Sequence, residues 1–372
     1  MGSETKISVV APPAGEVERL DLDPFYKKYL NCDGFPIVSS GRVSDAALRE
    51  AAYLIGKMLG HRSDLLKAMI DREVRLVVMA PDEFTTDVPE HATLVPKAYW
   101  DKRTRGLGAT DERLAVSVGE ENLLGLEGDP YAEESIMVHE FGHAIHEMAM
   151  KSVDPEFQGK LELAFNQAGV AGLWKGFYAG TNPAEYWAEG VQSWFDTNRE
   201  NDDDHNHVDT REELIEHDPM LAELIGSVFG QNSWRYQKPG SRDSRAHLAE
   251  FDWDAAPKFE WPERLIEAYE TYLTGEDREV ITLQPMEDLK NDSATGDSGP
   301  AVSIRFENKT DRPVKIFWVG FDGVRREYHT LLASRRYEQG TYGGHLWIVT
   351  GEDGKDIGWL RAINTNGKVE IK

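Results

Sequence analysis

Cysteine is nearly absent: the 372 residues hold one, Cys32. An intrachain disulfide is therefore impossible, which excludes a small disulfide-stapled scaffold. It leaves the compartment open, because many exported bacterial proteins also lack cystines. Long apolar runs are missing too. The best, Val74 to Ala80, has the length of a strand and falls far short of a membrane span. Basic residues are scarce beside acidic ones, 41 Lys+Arg against 66 Asp+Glu, for a net charge of −25. The imbalance is uneven. Residues 301–372 carry 12 bases and 9 acids, a net of +3, and the remainder carries 29 and 57, a net of −28. A body this acidic disfavours nucleic acid and anionic membrane surfaces as partners. The opening Met1-Gly2-Ser3 has the character of an expression leader, so the lack of a signal sequence carries no weight. Secretion is the favoured expectation, with the cytoplasm as the alternative.

What is present divides the chain. Residues 1–20, with Ala-Pro-Pro-Ala, read as a loose arm. Ser44 to Leu59 has helical spacing, with Ser44 as N-cap. Val74–Ala80 and Leu114–Val118 are strand candidates. Glu133–Met150 and Pro183–Thr197 read as helices, the second with proline suited to its first turn. Trp261–Leu273 looks like a closing helix. The run Asp202-Asp203-Asp204-His205-Asn206-His207 reads as a solvated polar loop in preference to a second metal site. Residues 285–300, rich in Gly, Ser, Pro and Asn, read as a linker. Beyond it the apolar period becomes two: Val302, Ile304, Phe306; then Val314, Ile316, Trp318; then His345, Trp347, Val349. Asp322-Gly323 is a turn signal. The expected architecture is an α+β domain over 21–284 and a separate all-β sandwich module over 301–372.

Two segments carry chemistry. His139-Glu140-Phe141-Gly142-His143 is H-E-x-x-H. On a helix the two histidines lie one turn apart on one face, so both imidazoles reach one metal ion, with Glu140 beside them. Chance occurrences of this motif are common. Here it follows Ile136-Met137-Val138, as a buried active-site helix would. The metzincin extension needs glycine at 146 and histidine at 149. The chain has His146 and Ala149, so that class is excluded. The third ligand must come from elsewhere, and Glu185-Tyr186-Trp187-Ala188-Glu189 offers one. Glu185 and Glu189 share a helical face. If Glu185 binds zinc, Glu189 is placed to hydrogen-bond a zinc-bound imidazole. Two histidines, one glutamate and an open position suit one catalytic Zn2+ per chain. The apolar neighbours Tyr186, Trp187, Val191 and Trp194 argue against a merely solvated acidic face.

These segments, together with Tyr178 seven residues before Glu185, resemble the catalytic domain of the anthrax toxin lethal factor and its relatives among the gluzincin-type zinc peptidases. The resemblance covers His139–Ala144 and Tyr178–Glu189 and little else. It implies a zincin-like metallopeptidase domain, zinc on His139, His143 and Glu185, Glu140 as general base, and the Tyr178 phenol facing the developing oxyanion. His146 departs from the family, where an acidic residue is expected; it is left between a supporting role behind the metal ligands and plain packing. The segment Trp100–Gly108 is a candidate for lining the cleft, without assigned roles.

In the C-terminal module, Trp318-Val319-Gly320-Phe321-Asp322-Gly323, Tyr328-His329-Thr330-Leu331 and Thr341-Tyr342-Gly343-Gly344-His345-Leu346-Trp347 resemble the β domain of the von Hippel–Lindau tumour suppressor. That resemblance implies a hydroxyproline-binding pocket of Trp318, Tyr328, Thr341, His345 and Trp347, with Thr341 replacing a serine but keeping its hydroxyl. The chemistry suits the carry-over. Aromatic walls fit a pyrrolidine ring, and a hydroxyl and an imidazole can bond its 4-hydroxyl. The family's helical, ligase-recruiting domain has no counterpart here, so an adaptor role does not follow.

Three functions result. The leading one is a zinc metallopeptidase whose module docks hydroxyproline-containing protein, with collagen-like or plant cell-wall glycoproteins as conjectured substrates. The second is a hydroxyproline-binding protein with a non-catalytic zincin domain, weakened by the intact Glu140. The third is a zinc hydrolase of non-peptide substrates.

Overall fold

The structure is a computed structural model and describes residues 8–230, 232–276, 278–290 and 294–372. The fold is mixed α/β with a C-terminal β-sheet module, and it divides into two compact units. One comprises residues 1–92 and 104–260, the other 93–103 and 261–372.

The first unit is built on a five-stranded sheet in the order β1-β2-β3-β5-β4. Its strands are β1 (Lys28–Cys32), β2 (Phe35–Ser39), β3 (Arg75–Met79), β4 (Gly106–Leu107) and β5 (Ala115–Gly119). β3 runs parallel to β2 and β5, and both β3 and β5 are buried throughout. That burial is why Val74–Ala80 reads as an unbroken apolar run and not as an alternating one. Side chains still alternate between two cores. Leu76, Val78, Val116 and Val118 face the larger one, with Met137, Val138 and Phe141. Val77, Met79 and Ala115 face a smaller one, with Leu20, Leu22, Tyr26 and Tyr29. β1 and β2 form an antiparallel hairpin about Asp33-Gly34, both at positive φ. β4 is the antiparallel edge strand.

The arm expected over 1–20 is corrected in part. Val10 pairs with Tyr29 and Ala14–Leu20 is a helix, because Leu20 has a core to enter. Residues 1–7 lie outside the described residues. The motif helix, expected over Glu133–Met150, starts at Ile136 and runs on to Val153. It is α-helical over Ile136–Ala144 and passes into a π-helical turn over Ile145–Met150.

In the second unit, Lys97–Arg103 and Glu263–Thr274 are helices joined by Tyr99 against Tyr269 and Tyr272. Two four-stranded sheets follow, β10-β7-β13-β6 and β12-β11-β8-β9. Their strands are β6 (Glu279–Val280), β7 (Ala301–Asn308), β8 (Val314–Val319), β9 (Arg325–Leu331), β10 (Arg336–Tyr342), β11 (Leu346–Gly351), β12 (Asp356–Arg361) and β13 (Gly367–Ile371). Val302, Ile304, Phe306, Val314, Ile316, Trp347 and Val349 meet between the sheets. The segment 285–300 is not a free linker. Met286 and Leu289 pack on Val319, Leu346 and Ile348, and the Thr295 hydroxyl accepts the Leu346 N–H at 3.0 Å and donates to the Val319 carbonyl. Its polar composition concealed these anchors. Residues 291–293 of that segment lie outside the described residues.

Candidate metal centre and aromatic pocket

Three caps fix the two helices that carry the first site. Ser135 caps the motif helix, its hydroxyl accepting the Val138 N–H. Asn122 holds the same end: its Oδ1 accepts the Ile136 N–H at 2.8 Å and its Nδ2 donates to the Glu134 carbonyl at 2.9 Å. Asn182 caps the helix Pro183–Trp194, accepting from Ala184 and Glu185. The helices cross at Gly142, whose carbonyl accepts the Trp187 indole N–H at 2.9 Å.

At this crossing three donor atoms form a near-equilateral triangle. His139 Nε2 lies 3.1 Å from His143 Nε2 and 3.3 Å from Glu185 Oε2, and the last two are 3.2 Å apart. Tetrahedral zinc with bonds of about 2.0–2.1 Å sets its ligand atoms about 3.3–3.4 Å apart. The donor set and its spacing therefore fit zinc. Among the described residues this is the only group of three or more His, Cys, Asp or Glu found suitable for a metal ion. Burial would lower the His139 pKa, but the hydrogen bond to Glu185 and the charges of Glu140, Glu189 and Glu185 outweigh it and push it up to about 10. The Glu185 carboxyl is opposed by burial but held well below the carboxylate range by the two imidazoles.

Glu140 is buried, makes no side-chain hydrogen bond among the described residues, and has its pKa raised by burial against the pull of His139 and His143. Gly106 and Gly108 run beside it. A Cβ on Gly106 would come within 2.9 Å of Glu140 Cγ, and one on Gly108 within 2.6 Å of His143 Cβ. Only glycine lets the edge of the sheet pass so near. Of the segment Trp100–Gly108, this end accompanies the motif helix, while Trp100–Arg103 belongs to a helix of the second unit. Tyr178 sits in a 3-10 turn with its ring stacked on His139, 6.5 Å between centroids.

Behind the candidate ligands lie Glu189, Gln192 and His146. Glu189 stands beside His139, as expected, but its carboxylate is shared. Its carboxylate is drawn to Asn198 Nδ2 at 3.0 Å and His205 Nε2 at 3.3 Å, leaving Oε1 3.4 Å from His139 Nδ1. Gln192, which sequence reasoning missed, holds that nitrogen at 2.7 Å. Its signal was its place seven residues after Glu185, on the same helical face. His146 turns away from the ligands, bonding Gln158 Oε1 at 2.7 Å and packing on Phe157. The loop 202–207 is not wholly solvated either: His205 is buried between Glu189 and Asp202, and the Asp204 carbonyl accepts the Tyr178 N–H at 2.7 Å.

The second site opens on the sandwich as a pocket of about 230 Å³. All five expected residues line it: Trp318, Tyr328, Thr341, His345 and Trp347. Trp318 stands at 77° to Tyr328, and Tyr328 at 78° to Trp347, which makes edge-to-face walls. Thr341 Oγ1 accepts the Trp347 indole N–H at 3.2 Å and lies 3.3 Å from His345 Nδ1. Ser298, Phe321 and Tyr342 were missed as lining residues. Ser298 Oγ lies 3.0 Å from His345 Nε2. Burial lowers the His345 pKa, favouring the neutral ring.

An antiparallel sheet packed on a mixed one, with an aromatic pocket on the module, defines a β-sandwich binding module. A family model described as the VHL beta domain matches residues 295–362, so this module carries that domain. The match begins at Thr295, whose hydroxyl ties the preceding segment to Val319 and Leu346. No curated protein matches the chain.

Proposed function

We propose that this protein is a zinc-dependent metallopeptidase whose VHL-type module binds hydroxyproline-containing protein. The observation that carries the catalytic half is the His139–His143–Glu185 triangle with a buried Glu140 beside it that makes no side-chain hydrogen bond among the described residues. Zinc, when bound there, would supply Lewis acidity and an acidified water. Glu140 takes a proton from the attacking water and returns it to the departing amine. Its raised pKa suits both transfers. Tyr178, stacked beside His139, donates its phenol proton toward the oxygen on which charge develops. The zincin-like character of the first unit belongs to this reading and rests on the same residues.

The binding half rests on the module's match and on the Thr341–His345 pair in an aromatic pocket. A polar pair at the back of an apolar cavity favours a ring that carries a hydroxyl. The alternative, a hydroxyproline-binding protein with an inactive first unit, rests on the same match in the module. A cleavage assay on paired peptides that differ only in proline or 4-hydroxyproline separates the readings. Faster cleavage of the hydroxylated peptide is expected. Cleavage blind to hydroxylation would remove the docking claim, and binding without any cleavage would favour the alternative.

A further inference from the structure

Gln192 is fully buried, and its amide orientation is fixed by its surroundings. Nε2 faces Glu134 Oε2 at 2.9 Å and the Ser135 carbonyl at 3.4 Å, both of which only accept hydrogen bonds from it. The amide nitrogen must therefore lie on that side and the oxygen on the other. Oε1 consequently meets His139 Nδ1 at 2.7 Å as an acceptor. Glu134 is itself held by Arg199 Nε at 2.9 Å. The order Arg199, Glu134, Gln192, His139 runs from the loop after the second helix back to the first residue of the motif.

We propose that Gln192 is a positioning residue: it holds the proton on His139 Nδ1 and so turns the Nε2 lone pair to the metal. This rests on the zinc reading above. The alternative amide placement would set the nitrogen against an imidazole N–H and the oxygen against a carboxylate, two repulsive contacts in a buried site. Removing such a partner behind a metal ligand typically weakens binding about 10- to 100-fold.

The test uses the full-length protein and three variants: Gln192→Met, close in length without hydrogen bonds; Glu134→Gln with Gln192→Glu together, which exchanges donor and acceptor; and Gln192→Glu alone. Zinc affinity is measured by competition with a chromophoric chelator, and the His139 Nδ1–H resonance by NMR. Melting curves without metal check that each variant folds. Gln192→Met is expected to bind zinc about 10- to 100-fold more weakly and to lose protection of that proton from exchange. Gln192→Glu alone, which opposes two carboxylates, should be weak as well, and the double exchange should recover most of the affinity. Unchanged affinity and an unchanged resonance in folded Gln192→Met would overturn the proposal while leaving the zinc reading intact. A wild-type protein that takes up no zinc would overturn both.

Discussion

The Trp187 indole N–H donates to the Gly142 carbonyl across 2.9 Å, joining the helix that carries two candidate ligands to the helix that carries the third. A Cβ on Gly142 would meet Val191 Cβ at 3.5 Å, an ordinary van der Waals contact, so the crossing is held by this bond and by packing and does not demand glycine. Trp187→Phe keeps an aromatic in the core but strands that carbonyl's second acceptor site and opens a small void. A loss of about 1–3 kcal/mol in unfolding free energy is expected from denaturant titration. Zinc affinity should fall with it, because the triangle spans both helices.

Glu140→Gln should keep the metal and lose turnover. The amide is isosteric and Glu140 is outside the donor triangle, so metal content should match wild type. Proton transfer of this kind contributes about 10²–10⁴-fold. Peptide hydrolysis beside metal analysis checks this, and retained turnover would sink the assignment of Glu140.

Thr341→Val should abolish discrimination in the pocket. The hydroxyl accepts from Trp347 and stands against His345, so its loss removes the polar floor but not the aromatic walls. Affinity for a hydroxyproline peptide should drop about ten- to a hundredfold, toward that of the matched proline peptide, with the latter nearly unchanged. Fluorescence anisotropy with both peptides reads this directly.

His91 predicts an acid-sensitive fold. It is fully buried against Ser117, and burial together with Arg113 depresses its pKa to about 4. In the unfolded chain it titrates near 6.5. Below that pH the unfolded state takes up a proton that the native state refuses. The neutral ring's contribution is therefore complete above pH ~6.5, declines as pH falls toward about 4, and is gone below it. The decline amounts to roughly 3 kcal/mol. Urea midpoints for wild type and His91→Asn across this window should show a shallower pH slope in the variant.

Much of the candidate metal site was legible because helical geometry is local. His139 and His143 are one turn apart, and Glu185 follows an Asn-Pro start that fixes its helix. What lay behind them was not legible. Gln192 reads as any polar residue on a helix, and its partner Glu134 is 58 residues away. In the module, alternation gave the sandwich, and the resemblance to the von Hippel–Lindau β domain gave Trp318, Tyr328, Thr341, His345 and Trp347 as pocket residues. Ser298 and Thr295 were hidden because a Gly- and Ser-rich segment reads as linker whether or not its hydroxyls find partners. The hairpin of β1 and β2 announced itself in Asp33-Gly34, a turn pair that went unread. The union of Lys97–Arg103 with residues 261–372 rests on contacts distant in sequence, which periodicity does not report.

The central claim is that His139, His143 and Glu185 form one zinc site. Metal analysis of the full-length protein after zinc loading and exhaustive dialysis tests it most directly, with His143→Ala and Glu185→Gln alongside. The account predicts one zinc per wild-type chain and little or none in either variant, each still folded. Wild-type protein free of zinc, or variants that keep a full equivalent, would contradict it.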